Sequence, residues 1–158
     1  MASNTDSLED SLRTLREEGF LILNDSQVGD LVSEMEDRGF PFLTSYGLHY
    51  CKQHILDNEN VRPILEGLLG TCKLGHWIRY NSLPDRIECF RKGGRRAGLR
   101  ALVVQQWAKG SQAVYYAGSH LHDLPAVPGE RSLYETEEEE LEKAGCKAIE
   151  KIFRDGEL

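Results

Sequence analysis

The stretch from Gly98 to Asp123, GLRALVVQQWAKGSQAVYYAGSHLHD, constrains this chain more than any other. Leu99 to Trp107 and Gln112 to Ala117 are rich in β-branched and aromatic residues, and Lys109, Gly110 and Ser111 between them supply turn residues, so the pattern predicts a hairpin. Alternate side chains of a pleated segment share a face, so Gln105 and Gln106 split between faces and Tyr115 opposes Val114 and Tyr116. The run stops at Gly118 and Ser119 and then presents His120, His122 and Asp123, three ionisable groups on one turn.

At 158 residues the chain is long enough to bury a core without staples, and a single domain over 1–158 is expected. Its 40% hydrophobic and 28% charged residues are those of a globular protein without a membrane span. The opening MASNTDSLED has neither a basic leader nor an apolar core, which predicts a cytoplasmic protein. Cys51, Cys72, Cys89 and Cys146 form no Cys-x-x-Cys pair, so reduced, part-buried thiols are expected rather than a zinc or redox site. A net charge of −7 opposes binding to nucleic acid or an anionic membrane. That charge is uneven: Arg91, Lys92, Arg95, Arg96 and Arg100 form a basic cluster, and Glu135, Glu137 to Glu140 and Glu142 an acidic one.

In chain order, Ser7 and Asp10 resemble a capping box, and Leu8, Leu12 and Leu15 predict a helix ending at Gly19. Phe20 to Leu23 reads as a short strand, and Val28, Leu31, Val32 and Met35 as a second helix ending near Gly39. Phe40 to Asn60 follows neither period and is expected to be irregular, with at most a short strand. Asn60, Pro63 and Gly70 bracket a third helix. Cys72 to Tyr80 alternates as a strand, with His76 and Tyr80 on one face; Arg86 to Phe90 is another strand, and Gly93 and Gly94 begin a loop. Thr136 and Glu139 repeat the capping pattern before an acidic helix to Ala144, and Ile149, Ile152 and Phe153 suggest a last helical turn or two.

Three pieces, LRTLREEGFLILNDSQVGDLVSEM, LEGLLG with the strand after it, and YYAGSH, resemble phytanoyl-CoA-dioxygenase-like proteins. The resemblance implies an α+β fold: a shortened double-stranded β-helix, jelly-roll or cupin-like, with flanking N-terminal helices. It also implies iron(II)- and 2-oxoglutarate-dependent oxidation through a His-x-Asp pair, a distant His and a cosubstrate Arg, the pair being two apart so that both side chains reach one metal. No His-x-Asp or His-x-Glu occurs in this sequence, and the run Cys89 to Gly93 puts Phe90 and Lys92 at the ligand positions. The distal His and Arg lie far beyond the Gly-Ser-His turn in the family, and this sequence has no comfortable equivalents. The resemblance therefore implies the fold without its usual activity, its metal or any cofactor.

The expected function is a metal-free isomerisation, cyclisation or Diels-Alder-type cycloaddition of an apolar polyene or terpenoid substrate, which needs mainly orientation and modest polarisation. Its catalytic candidates are His76 and Tyr80, and its substrate-binding candidates Trp77, Gln105, Tyr115 and His120, expected to border one cavity. Each has a plainer reading: His76 as a core histidine, Tyr80, Tyr115 and Gln105 as strand packing, and His120 and His122 as turn-fixing hydrogen-bond groups rather than metal ligands. The basic cluster reads as a solvated loop or, through Gly93 and Gly94, as a place where backbone meets a phosphate. An iron(II)/2-oxoglutarate dioxygenase and a non-catalytic relative that binds a ligand or partner protein are the alternatives. A homodimer is expected, since a shortened β-roll leaves strand edges and apolar surface uncovered.

Overall fold

The computed structural model describes residues 4–79, 86–130 and 133–158. It is an α+β structure with five α-helices and two small antiparallel sheets over those residues. Helix α1 (Asn4–Glu18) ends at Gly19, whose φ of 84° stops it. It begins before Ser7, which lies inside the helix with its carbonyl accepting from Ser11 Oγ, so the expected capping box does not form there. Leu12 on the inner stripe of α1 packs over Gly67 of α4 (Val61–Leu69).

Residues 20–23 make no strand ladder, although Leu23 and Leu158 exchange both backbone hydrogen bonds, 2.9 and 3.2 Å long. Helix α2 (Val28–Asp37) follows as the apolar spacing predicts, its entry fixed by Asp25 Oδ1 accepting from Gln27 N at 3.0 Å. The segment expected to be irregular is instead helical. Thr44 caps α3 (Ser45–Cys51), accepting from Gly47 N, and the helix runs on into a π-turn, Lys52–Leu56. Its inward residues are Gly47, Tyr50 and Cys51, a glycine, an aromatic and a thiol, so no aliphatic stripe announces it. For α4 the capping side chain is Asn58 rather than Asn60: its Oδ1 accepts from Asn60 N at 2.9 Å and Val61 N at 3.1 Å. Gly70 ends the helix at φ 64°.

The core joins these helices to the far end of the chain. Val28, Val61, Leu65 and Leu158 form a buried cluster, with Leu23, Val32, Ile55, Leu56, Leu69, Leu102 and Val104 packed against it. Each large side chain fully buried there contributes about 1.5–3 kcal/mol of transfer free energy.

Strand pairing departs from the predicted hairpin. β1 (Ile87–Cys89), β3 (Val127–Pro128) and β4 (Tyr134–Thr136) form one sheet in the order β1-β4-β3. β2 (Ser111–Ala117) pairs with β5 (Lys147–Phe153), from Ser111 opposite Phe153 to Ala117 opposite Lys147. Residues 99–106 join no ladder, and Trp107 forms a lone antiparallel bridge to Glu157. Residues 72–79, expected as a strand, carry none. The expected last helical turns are β5 itself: Ile149, Lys151 and Phe153 turn inward while Ile152 is 60% exposed, so the neighbouring pair Ile152 and Phe153 imitated a helical stripe. The acidic helix α5 (Glu138–Lys143) forms, but Thr136 belongs to β4 and gives its hydroxyl to Pro125 O at 2.7 Å instead of capping it. Its glutamates meet Lys143 and Tyr116 rather than the arginine cluster.

All four cysteines are free thiols, as expected, and they differ in access. Cys51 is buried, which pushes its thiol up to about 11, whereas Cys72 is exposed. Iodoacetamide at pH 8 is expected to label Cys72 first and Cys51 only on unfolding. Peptide mass mapping over time checks the order, and early labelling of Cys51 would contradict the packing around α3.

Candidate functional site

Two backbones built of small residues meet beside the end of β2. Gly118, at φ 78°, turns the chain out of the strand into a 3-10 turn, Ser119–Leu121. That turn is tied to the end of α1 twice: Gly118 N donates to Glu18 O at 2.8 Å, and His120 Nε2 donates to Arg16 O at 3.0 Å. A carbonyl can only accept, so Nε2 carries the proton, and Nδ1 is left buried without a partner. The imidazole lies directly on Gly19, where any Cβ would collide with it.

From the other side, the loop after β1 closes on the same turn. Gly94 N donates to His120 O at 3.0 Å and Ala97 N to Gly94 O at 2.9 Å. A side chain at Gly93 would place its Cβ 2.9 Å from both His120 O and His122 O, and Gly94 holds φ 100°. Glycine at both positions is what lets loop and turn touch. Between them opens a pocket of about 290 Å³ lined by Gly93, Gly94, Arg95, Arg96, Leu121 and Asp123.

Electrostatically this corner is unusual for a chain of net charge −7. Arg91, Lys92, Arg95, Arg96 and Arg100 are exposed, and none joins an ion pair among the described residues. Lys92 alone has a soft contact, its Nζ 5.5 Å from the centre of the Tyr134 ring. Other cations of the chain are engaged: Arg38 with Glu34, Arg62 with Asp57 and Glu66, Arg86 with Glu130 and Glu135, and Lys109 with Asp30.

The site residues expected from the sequence fall into three places. Gln105 and Tyr115 do come together: Tyr115 Oη donates to Gln105 Oε1 at 3.0 Å and accepts from Trp107 Nε1 at 2.9 Å. Phe20 stacks on Tyr115 at 4.7 Å between centroids, and burial raises the Tyr115 phenol above its ordinary value. Gln106 turns the other way, as the alternation predicts, and its Oε1 accepts from Tyr50 Oη at 3.0 Å. Burial pushes the Tyr50 phenol up to about 12. Trp77 belongs to that second group, edge-on to Phe42 at 5.6 Å and to Tyr50 at 5.9 Å, while His76 beside it is exposed. Tyr80 lies outside the described residues. His120 is at the pocket's turn, where its backbone and ring hold loop, turn and α1 together. Trp77, Gln105 and Tyr115 thus sit in two interior clusters on either side of residues 105–106.

In the sequence the basic cluster and the His120 to Asp123 turn are separate features, 20 or more residues apart, and no local pattern joins them. The signal that would have joined them is the glycine pair, which invites close approach of a second backbone. Among the described residues no group of three or more His, Cys, Asp or Glu side chains is placed to hold a metal ion. No helix among them is long and apolar enough to cross a membrane. Comparison with known proteins adds no relative: no family model, curated protein or solved structure matches the chain.

Proposed function

We propose that this chain is a non-catalytic binding protein for a small anionic ligand, held in the pocket between the 93–96 loop and the 121–123 turn. The observation that carries this reading is the pair Arg95 and Arg96, exposed and without ion-pair partners among the described residues, on the rim of a 290 Å³ pocket walled by glycine backbone. Guanidinium groups make planar, charge-assisted bonds to phosphate or carboxylate, and glycine lets the ligand reach the main chain. Asp123, on the same lining, is an acceptor for a hydroxyl or ammonium that a ligand carries beside its anionic group. A distant kinship with phytanoyl-CoA-dioxygenase-like proteins, and with it a shortened β-roll, belongs to the proposal. What supports it is the apolar segment between α1 and α2 and the Gly118 to His120 turn.

The metal-free cyclase expected from the sequence has less behind it. Tyr115, Trp107 and Gln105 spend their polar groups on one another, and His76 is exposed. Turnover of a polyene substrate, lost in the His76→Ala variant, would restore that reading.

Calorimetric titration with pyrophosphate and with citrate tests the binding reading. Saturable binding is expected for one or both, and Arg95→Gln with Arg96→Gln should weaken it by at least about a hundredfold, since each charged hydrogen bond is worth about 1.5–3 kcal/mol. An unchanged affinity in the double variant, or no binding by the parent chain, would contradict it.

A further inference from the structure

We infer that the ligand of the 93–96 pocket is a phosphate monoester of a polyol, either a free sugar phosphate or the sugar end of a mononucleotide, an inference that rests on the anion-binding reading above. Arg95 and Arg96 are the two central residues of a turn that Ala97 N closes on Gly94 O at 2.9 Å. Both guanidinium groups thus start from one turn, and the amides of the same two residues donate to nothing among the described residues. Adjacent amides and planar guanidinium forks together suit the three terminal oxygens of a phosphate better than the two of a carboxylate.

Asp123 stands on the same lining. A Cβ added at Gly94 would lie 3.3 Å from the Asp123 Cβ, so the Asp123 side chain is rooted against the residue that opens the turn. Yet no ion pair joins Asp123 to Arg95 or Arg96. Opposite charges that share a small pocket without closing on each other leave both ends open to one ligand. The carboxylate takes a hydrogen-bond donor, which an ammonium or a hydroxyl supplies. Charge chooses between them. The lining carries two guanidiniums against one carboxylate, and Arg91, Lys92 and Arg100 on the same stretch of chain add to the positive side. A further ammonium gains little in that field and a neutral hydroxyl loses nothing, while the roughly −1.5 to −2 charge of a phosphate monoester near pH 7 gains most. Leu121 supplies an apolar wall for the C–H face of a sugar ring. The volume of about 290 Å³ lies at the lower end of the roughly 300–1,000 Å³ of small-molecule pockets, more than a bare phosphate ion needs.

Calorimetric titrations of the full chain with ribose 5-phosphate, inorganic phosphate and O-phosphoethanolamine provide the test. Ribose 5-phosphate is expected to bind about tenfold more tightly than either of the others, the worth of one hydrogen bond to a charged group. Asp123→Ala should move two probes in opposite directions. Ribose 5-phosphate weakens about tenfold, whereas inorganic phosphate, relieved of a repelling carboxylate, binds equally well or more tightly. Adenosine 5′-monophosphate run alongside separates the two sources: a nucleotide if it binds more tightly than ribose 5-phosphate, a free sugar phosphate if it does not. Ribose 5-phosphate that binds no more tightly than inorganic phosphate or phosphoethanolamine overturns the inference while the anion reading stands. So does an Asp123→Ala chain that keeps its full ribose 5-phosphate affinity, or one that weakens for both probes alike. If neither these phosphates nor pyrophosphate binds, both readings fall.

Discussion

Gly156→Ala is expected to lower stability by about 3–4 kcal/mol, a large share of the roughly 5–15 kcal/mol that holds a domain together. Gly156 has φ 82°, and a Cβ there would stand 2.5 Å from Gly29 N and 2.7 Å from Trp107 O. The left-handed conformation costs an alanine about 1–2 kcal/mol, and the overpacking about 1–3 kcal/mol more. Neither neighbour can give way. Gly29 is buried in the first turn of α2, and Trp107 is fixed by its bridge to Glu157. If residue 156 moves instead, it pulls on the Trp107 to Glu157 and Leu23 to Leu158 pairs that follow it. The urea midpoint should fall with the slope unchanged. A shift worth less than about 1 kcal/mol would mean that α2 and the 155–157 turn are not in contact.

Phe153→Ala should cost a comparable amount, about 3–5 kcal/mol, by leaving a cavity behind the last residue of β5. Phe153 is 1% exposed, its ring is stacked on Trp107 at 5.2 Å and 6°, and its carbonyl accepts from Gly110 N at 2.7 Å. The aromatic pair adds about 0.5–1.5 kcal/mol beyond area burial, so Phe153→Leu should recover most of the volume but not that part. Trp107 reports locally, since losing the ring against it lets water in. Its emission should shift to the red in the folded variant before any unfolding. Emission unmoved in Phe153→Ala would contradict the stack.

The helical half of this fold was largely legible, because α1, α2 and α4 each carry an aliphatic stripe with a glycine close after it. α3 was not, since its inward residues Gly47, Tyr50 and Cys51 mix types that no hydropathy period collects. The strands were harder for a different reason. Both arms of the predicted hairpin have strand composition, and the arms do meet through Trp107, Tyr115 and Gln105. Composition does not choose a partner, however, and β2 pairs with β5, a segment 30 residues further on whose Ile149, Ile152 and Phe153 read as a last helical turn or two. At the site, the split of Gln105 from Gln106 followed from pleating alone. What could not be read was that Gly93 and Gly94 fold against His120 and His122, because nothing local in either stretch names the other.

The central claim is that Arg95, Arg96 and the glycine loop hold an anion. Its most direct test is a pyrophosphate titration of the ¹⁵N-labelled chain, read at individual backbone amides. The account predicts saturable shifts confined to Gly93 through Ala97 and Leu121 through Asp123, sharing one dissociation constant and absent from the Arg95→Gln, Arg96→Gln variant. Shifts that stay linear and spread over every exposed arginine and lysine, or that concentrate around Trp77 and Tyr115, would contradict it.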